Sequence, residues 1–108
     1  MSAHPFYSMH EHGFVRVATS TPKVRTADVA FNRDAVLAEA QRAHEAHVDL
    51  LVFPELCLSS YAIDDLHLQA AMIEAVEAAV AEIVHASADL SPVLLVGAAL
   101  PHKGRLYN

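Results

Sequence analysis

The sequence is poor in cysteine, in basic residues and in long apolar runs, and each shortage removes a class of protein. Its one cysteine, Cys57, cannot build an internal disulfide framework, and no N-terminal stretch joins a basic start to an apolar core of about 7–15 residues. A secretory signal is therefore not expected, and the expected compartment is the cytoplasm. The longest apolar runs, Leu50 to Phe53 and Val93 to Leu100, fall well short of the roughly 20 residues that span a bilayer, so no membrane association is expected. Seven lysines and arginines stand against 13 aspartates and glutamates spread along the chain, which leaves no footprint for a phosphate backbone. Nucleic acid is not an expected partner. Internal repeats and low-complexity tracts are also absent.

What is present is a folded acidic α/β chain: 108 residues, net charge −6, 54% hydrophobic against 19% charged. That length supports one small core and excludes two complete domains. Residues 1–12 lack an apolar period and read as an N-terminal arm. Phe14 to Ala18 reads as a strand ended by Thr-Ser-Thr-Pro. Asp28 is the expected N-cap of a helix over 29–47, whose stripe is Val29, Arg33, Val36, Ala40, Ala43 and His47. Residues 49–53 form a continuous apolar strand of the kind covered on both faces. A polar connection over 55–65 follows, and its Asp64-Asp65 pair is expected to cap a helix over 66–86. That helix carries Leu68, Met72, Ala75, Val76, Ala79, Val80 and Ile83 on one face. Val93 to Ala99 is a second continuous apolar strand, and a turn at 101–104 leads into another beginning at Arg105. Strand, helix, strand, helix, strand predicts a parallel α/β layer. Three such strands leave an apolar edge and face exposed, so the chain reads as the front part of a larger fold.

Chemistry concentrates in Phe53-Pro54-Glu55-Leu56-Cys57-Leu58-Ser59-Ser60-Tyr61, where Glu55 stands just past the end of a buried strand. Catalytic groups of α/β sheets gather at those carboxyl ends, and a glutamate walled off there by apolar residues can serve as general base or acid. Position alone leaves open, and favours, a solvated loop carboxylate, because glutamate is seldom buried without a partner. Cys57 lies two residues on; in an extended segment it would share a side with Glu55 at about 6–7 Å. A lone cysteine is more often a small buried hydrophobe, and inert packing is the expectation. His10-Glu11-His12 and His44-Glu45-Ala46-His47 bring imidazoles together, but neither has the HExxH spacing, so no metal site is expected. His44 and His47 instead suit the end of a helix dipole when protonated. The lysines and arginines, Lys103 included, read as surface charges.

The string FPELCLSSY after an apolar strand resembles the FPEL-x-L-x-GY motif of the nitrilase, or carbon–nitrogen hydrolase, superfamily. Residues 14–108 follow that family's opening order of elements and cover less than half of its catalytic domain. HGFVRVA at 12–18 and YAIDDLHLQ at 61–69 narrow the resemblance to the N-terminal glutaminase domain of glutamine-dependent NAD synthetases of the actinobacterial type. The resemblance implies the N-terminal part of an α-β-β-α sandwich: residues 13–108 as a partial glutaminase domain, with the C-terminal synthetase domain absent. It implies a glutamate, a lysine and a cysteine acting together, of which only the glutamate has a counterpart here, Glu55, as proton acceptor. The lysine and cysteine belong to motifs beyond Asn108. Tyr61 matches a motif tyrosine near the glutamine site and is the candidate substrate-binding residue. Ser60 departs from the motif's glycine.

The implied activity is hydrolysis of glutamine through a cysteine thioester. The released ammonia then amidates nicotinic acid adenine dinucleotide to NAD at the expense of ATP. No cofactor is implied in these residues, ATP and Mg belonging to the absent synthetase domain, and a homo-oligomer is implied for the complete enzyme. The alternatives are a stand-alone nitrilase-type amidase and a non-catalytic α/β interaction module.

Overall fold

A computed structural model describes residues 4–108, so the first three residues of the expected arm lie outside the described residues. The chain enters its first helix, α1 (Val29–Glu45), through Asp28, whose carboxylate accepts the N–H of Phe31 at 3.1 Å. That bond satisfies one of the N–H groups that a helix start leaves without a partner. The helix ends two residues earlier than its apolar stripe suggests. His47 adopts a left-handed φ of 57°, the N–H of Val48 returns to Ala43 at 2.9 Å, and that of His47 to His44 at 3.1 Å. This Schellman arrangement reverses the chain and buries Val48, so His47 is exposed and not part of the stripe. His44 lies in the last turn of α1, and its Nδ1 accepts the N–H of Ser91 at 3.0 Å.

Three strands form a parallel sheet in the order β1 (Val17–Thr19), β2 (Leu50–Val52), β3 (Val93–Leu95). Their register aligns Ala18, Leu51 and Leu94 on one row, and Val17, Leu50 and Val93 on the next. The first row packs on the helices together with Val36, Ala43, Val76, Ala79 and Ile83. The opposite face is open: Val17, Val93 and Leu95 are 62%, 62% and 51% exposed. The continuous apolar strands are therefore covered on one face only within this chain, whereas their composition suits cover on both.

The second long helix, α2 (Ala70–Ser87), begins later than expected. A 3₁₀ turn at Asp64–Leu68 takes up the Asp64-Asp65 pair, which consequently does not cap α2; its N-cap, Gln69, makes no side-chain bond. Leu68 is left exposed, while Val76, Ala79 and Ile83 carry the buried face. Arg33 is not a free surface charge, since its guanidinium joins Asp34 and, across the helix pair, Glu82 at 3.0 Å. After β3 the chain leaves the sheet and forms a hairpin of β4 (Leu100–His102) and β5 (Arg105–Tyr107). Lys103 and Gly104, with φ of 46° and 76°, make the two left-handed residues that a tight hairpin turn requires.

The arm holds two 3₁₀ turns, Pro5–Tyr7 and Met9–His12, and the expected strand at Phe14 starts only at Val17. What ties the arm down is Asp49, which accepts the N–H of Arg16 at 2.6 Å and faces the ring of His10 at 2.8 Å. Arg16 also reaches the carbonyl of Ala46, closing the α1 C-terminus against the start of β1. The Arg16 N–H first, and the His10 ring second, hold the Asp49 carboxyl below the usual carboxylate range. A carboxyl lowered in the folded state contributes stability above its unfolded value, near 4, and loses it as the pH falls through the folded value. Asp49→Asn should therefore melt at lower temperature than the parent at neutral pH. The gap should close on acidification below about pH 4, a trend that melting curves across that range would check.

Candidate functional site

β2 hands the chain to the candidate site through Phe53 and Pro54. The N–H of Phe53 bonds the Leu95 carbonyl at 2.9 Å, extending the β2–β3 ladder by one residue, and Pro54, with no N–H, stops it. Residues 55–59 then form a turn that drives Leu56, Cys57, Leu58 and Ser59 inward and leaves Glu55 and Tyr61 outside. Two residues without glycine's freedom take left-handed backbone to do this, Leu56 at φ 53° and Ser60 at φ 75°. The motif's glycine is thus replaced by serine at a position where the backbone requires positive φ.

Two contacts hold the turn from behind. Asn32, fully buried on α1, donates from Nδ2 to the carbonyls of Leu58 and Arg25, both at 2.9 Å, and accepts the Arg25 N–H at 2.8 Å. The Ser59 carbonyl accepts the N–H of Ala27 at 3.0 Å. On the other side Gly97 lies directly against the turn's backbone. A Cβ there would stand 2.6 Å from the Pro54 carbonyl oxygen and closer still to the Leu56 nitrogen. The sequence carries a signal for each residue: a polar, helix-weak asparagine inside an apolar stripe, and a glycine inside the apolar run Val93 to Leu100, of which only Val93–Leu95 is strand because the chain turns onto the Pro54–Leu56 backbone at Gly97.

Glu55 is exposed, so the apolar walls expected around it are not supplied by these residues. Its carboxylate accepts a hydrogen bond from the side-chain amide of Asn108, at the end of β5. Tyr61 is 68% exposed. Cys57 does not share a side with Glu55, because the segment turns where an extended strand would have aligned them. The thiol is buried, bonded to the Gly97 carbonyl at 3.7 Å, and burial pushes its pKa up, which disfavours the nucleophilic thiolate. Three of these histidines have other partners. His10 faces Asp49, His12 bonds the Phe6 carbonyl at 2.8 Å, and His44 holds Ser91. Lys103 stays exposed in its hairpin turn.

Two substitutions should move this turn in opposite directions. Ser60→Gly relieves the left-handed strain and should stabilise the chain by about 0.5–1 kcal/mol in urea unfolding. Gly97→Ala sets a methyl against main-chain atoms that cannot rotate away. It should lower the melting temperature and expose Cys57 to a thiol reagent that the parent resists; a parent-like rate of Cys57 labelling would contradict this contact.

Comparison with known proteins agrees with this arrangement. The family described as carbon-nitrogen hydrolase matches residues 16–108. Glutamine-dependent NAD(+) synthetases of Mycobacterium bovis and Mycobacterium leprae are 50% and 48% identical over 103 residues, 95% of this chain. The chain spans 15% of the length of these relatives, and the match falls on their N-terminal region. A crystal structure of a glutamine-dependent NAD(+) synthetase from Cytophaga hutchinsonii superimposes with a TM-score of 0.79 at 26% identity, covering 87% of this chain and 16% of that one. The sheet, its two helices and the FPEL turn are accordingly part of a nitrilase-like domain, and the chain belongs to the carbon–nitrogen hydrolase family.

Proposed function

We propose that the chain is part of the glutaminase domain of a glutamine-dependent NAD synthetase, with Glu55 as the proton acceptor and Tyr61 lining the glutamine site. The observation that carries the reading is the turn after β2, which directs Glu55 outward at the carboxyl end of a parallel strand while sealing Cys57 in the core. In this role Glu55 takes the proton of a cysteine thiol supplied by another part of a longer polypeptide as the sulfur attacks the amide carbon of glutamine. It passes the proton to the departing ammonia. It then takes a proton from the water that hydrolyses the thioester, and returns it to the sulfur. A lysine from the same longer chain stabilises the oxyanion of each addition.

Nicotinic acid adenine dinucleotide, ATP and Mg belong, on this reading, to a synthetase portion of that polypeptide. Among the described residues no group of three or more His, Cys, Asp or Glu side chains is placed to hold a metal ion. No helix among them is long and apolar enough to cross a membrane. A cytoplasmic homo-oligomer is the assembly that fits the reading.

The 108-residue chain alone should release no glutamate from glutamine above a Glu55→Ala background, since a base without its nucleophile forms no acyl intermediate. In the complete polypeptide that the gene encodes, Glu55→Gln should lower the ratio of glutamine-driven to ammonium-driven NAD synthesis by roughly 10²–10⁴-fold. An unchanged ratio would remove Glu55 from the mechanism. Cys57→Ser should keep glutamine turnover within a few fold of the parent, because its thiol packs and does not react; loss of turnover in a folded variant would make Cys57 the nucleophile.

A further inference from the structure

We propose that Asn108 is a positioning residue for the general base: its side-chain amide holds one oxygen of the Glu55 carboxylate and leaves the other free to exchange protons. This rests on the glutaminase reading of Glu55. The carboxylate stands on an exposed turn, and a glutamate side chain left to rotate has several rotamers of similar energy, only some of which point an oxygen at a reacting proton. Among the described residues Glu55 makes no ion pair, and its side-chain hydrogen bond comes from the Asn108 amide at Oε1.

The contact follows from the path of the backbone. Gly97 lets the segment after β3 lie against Pro54 to Leu56. The hairpin then reverses at Lys103 and Gly104 and pairs Tyr107 with Leu100. Continuing that register sets Asn108 beside Ala99, two residues beyond Gly97, which brings it back to the residue after Pro54. A neutral amide is the fitting donor here. It donates a charge-assisted bond to the carboxylate and neither competes for the proton nor repels the base, as an aspartate would.

The test uses the complete polypeptide encoded by the gene and reads the ratio of glutamine-driven to ammonium-driven rates, which cancels differences in folded fraction. Asn108→Ala should lower that ratio about tenfold through kcat, with KM for glutamine little changed, as expected for one hydrogen bond to a charged group. Asn108→Asp should lower it further at neutral pH and move the acid limb of the pH–rate profile to higher pH, while Asn108→Gln, which keeps the donor, should recover part of the loss. An acid limb common to parent, Ala and Asp forms, or an Asn108→Ala enzyme with parental kcat, would overturn the proposal.

A second measurement separates this from failure of the glutaminase reading. In a crystal structure of the complete polypeptide at neutral pH the Asn108 side-chain nitrogen should lie within about 3.2 Å of a Glu55 carboxylate oxygen. If the complete polypeptide hydrolyses no glutamine yet this contact is present, the contact stands and the reading of the reaction falls. If the contact is missing, the proposal is refuted whatever the enzyme does.

Discussion

Main chain lying directly on main chain, at Gly97 against Pro54 to Leu56, is the constraint on which the arrangement of this chain depends. Hydrogen-bonded sheets hold neighbouring backbones close to 5 Å apart, and side chains normally keep other segments farther away. Here the segment leaving β3 comes close enough that even a methyl group has no room. Three consequences share that contact. The turn after β2 is pressed into the core, the Cys57 thiol is capped by the Gly97 carbonyl, and the hairpin that follows returns Asn108 to Glu55.

The turn is supported from its other side by Asn32, a buried polar residue whose three hydrogen bonds are all to main chain. Such a group is costly to bury and becomes favourable only when fully satisfied. It therefore acts as a selective clamp, bonding Arg25 ahead of α1 and Leu58 beyond Glu55 at once. Between the asparagine and the glycine the loop has little freedom, and this accounts for the left-handed backbone at Leu56 and Ser60, neither of which is a residue that adopts it cheaply.

The open face of the sheet has a different origin. α1 and α2 pack on each other and on the row of Ala18, Leu51 and Leu94, so the alternate residues of the same strands have nothing above them. Val17 on β1 and Val93 and Leu95 on β3, at 51–62% exposure on either side of half-buried Leu50 and Val52, form the kind of apolar surface that sandwich folds bury against a second sheet.

Local chemistry in the sequence determined the order of elements, the Asp28 cap, the apolar stripe of α2, the hairpin turn at Lys103-Gly104 and the placement of Glu55 past a strand end. Each rests on residues within one or two helical turns or strand steps of one another. The tertiary structure alone decided which face of the apolar strands was covered, because a strand apolar on both sides carries no alternation to choose between them. It also decided that Cys57 points away from Glu55, since that depends on a turn shaped by Asn32 and Gly97, 25 and 40 residues distant in the chain. The Asn108 contact is of the same kind: no short-range pattern marks an asparagine at the end of a hairpin, and only the closing of strand, turn and hairpin around Gly97 sets its amide on the carboxylate.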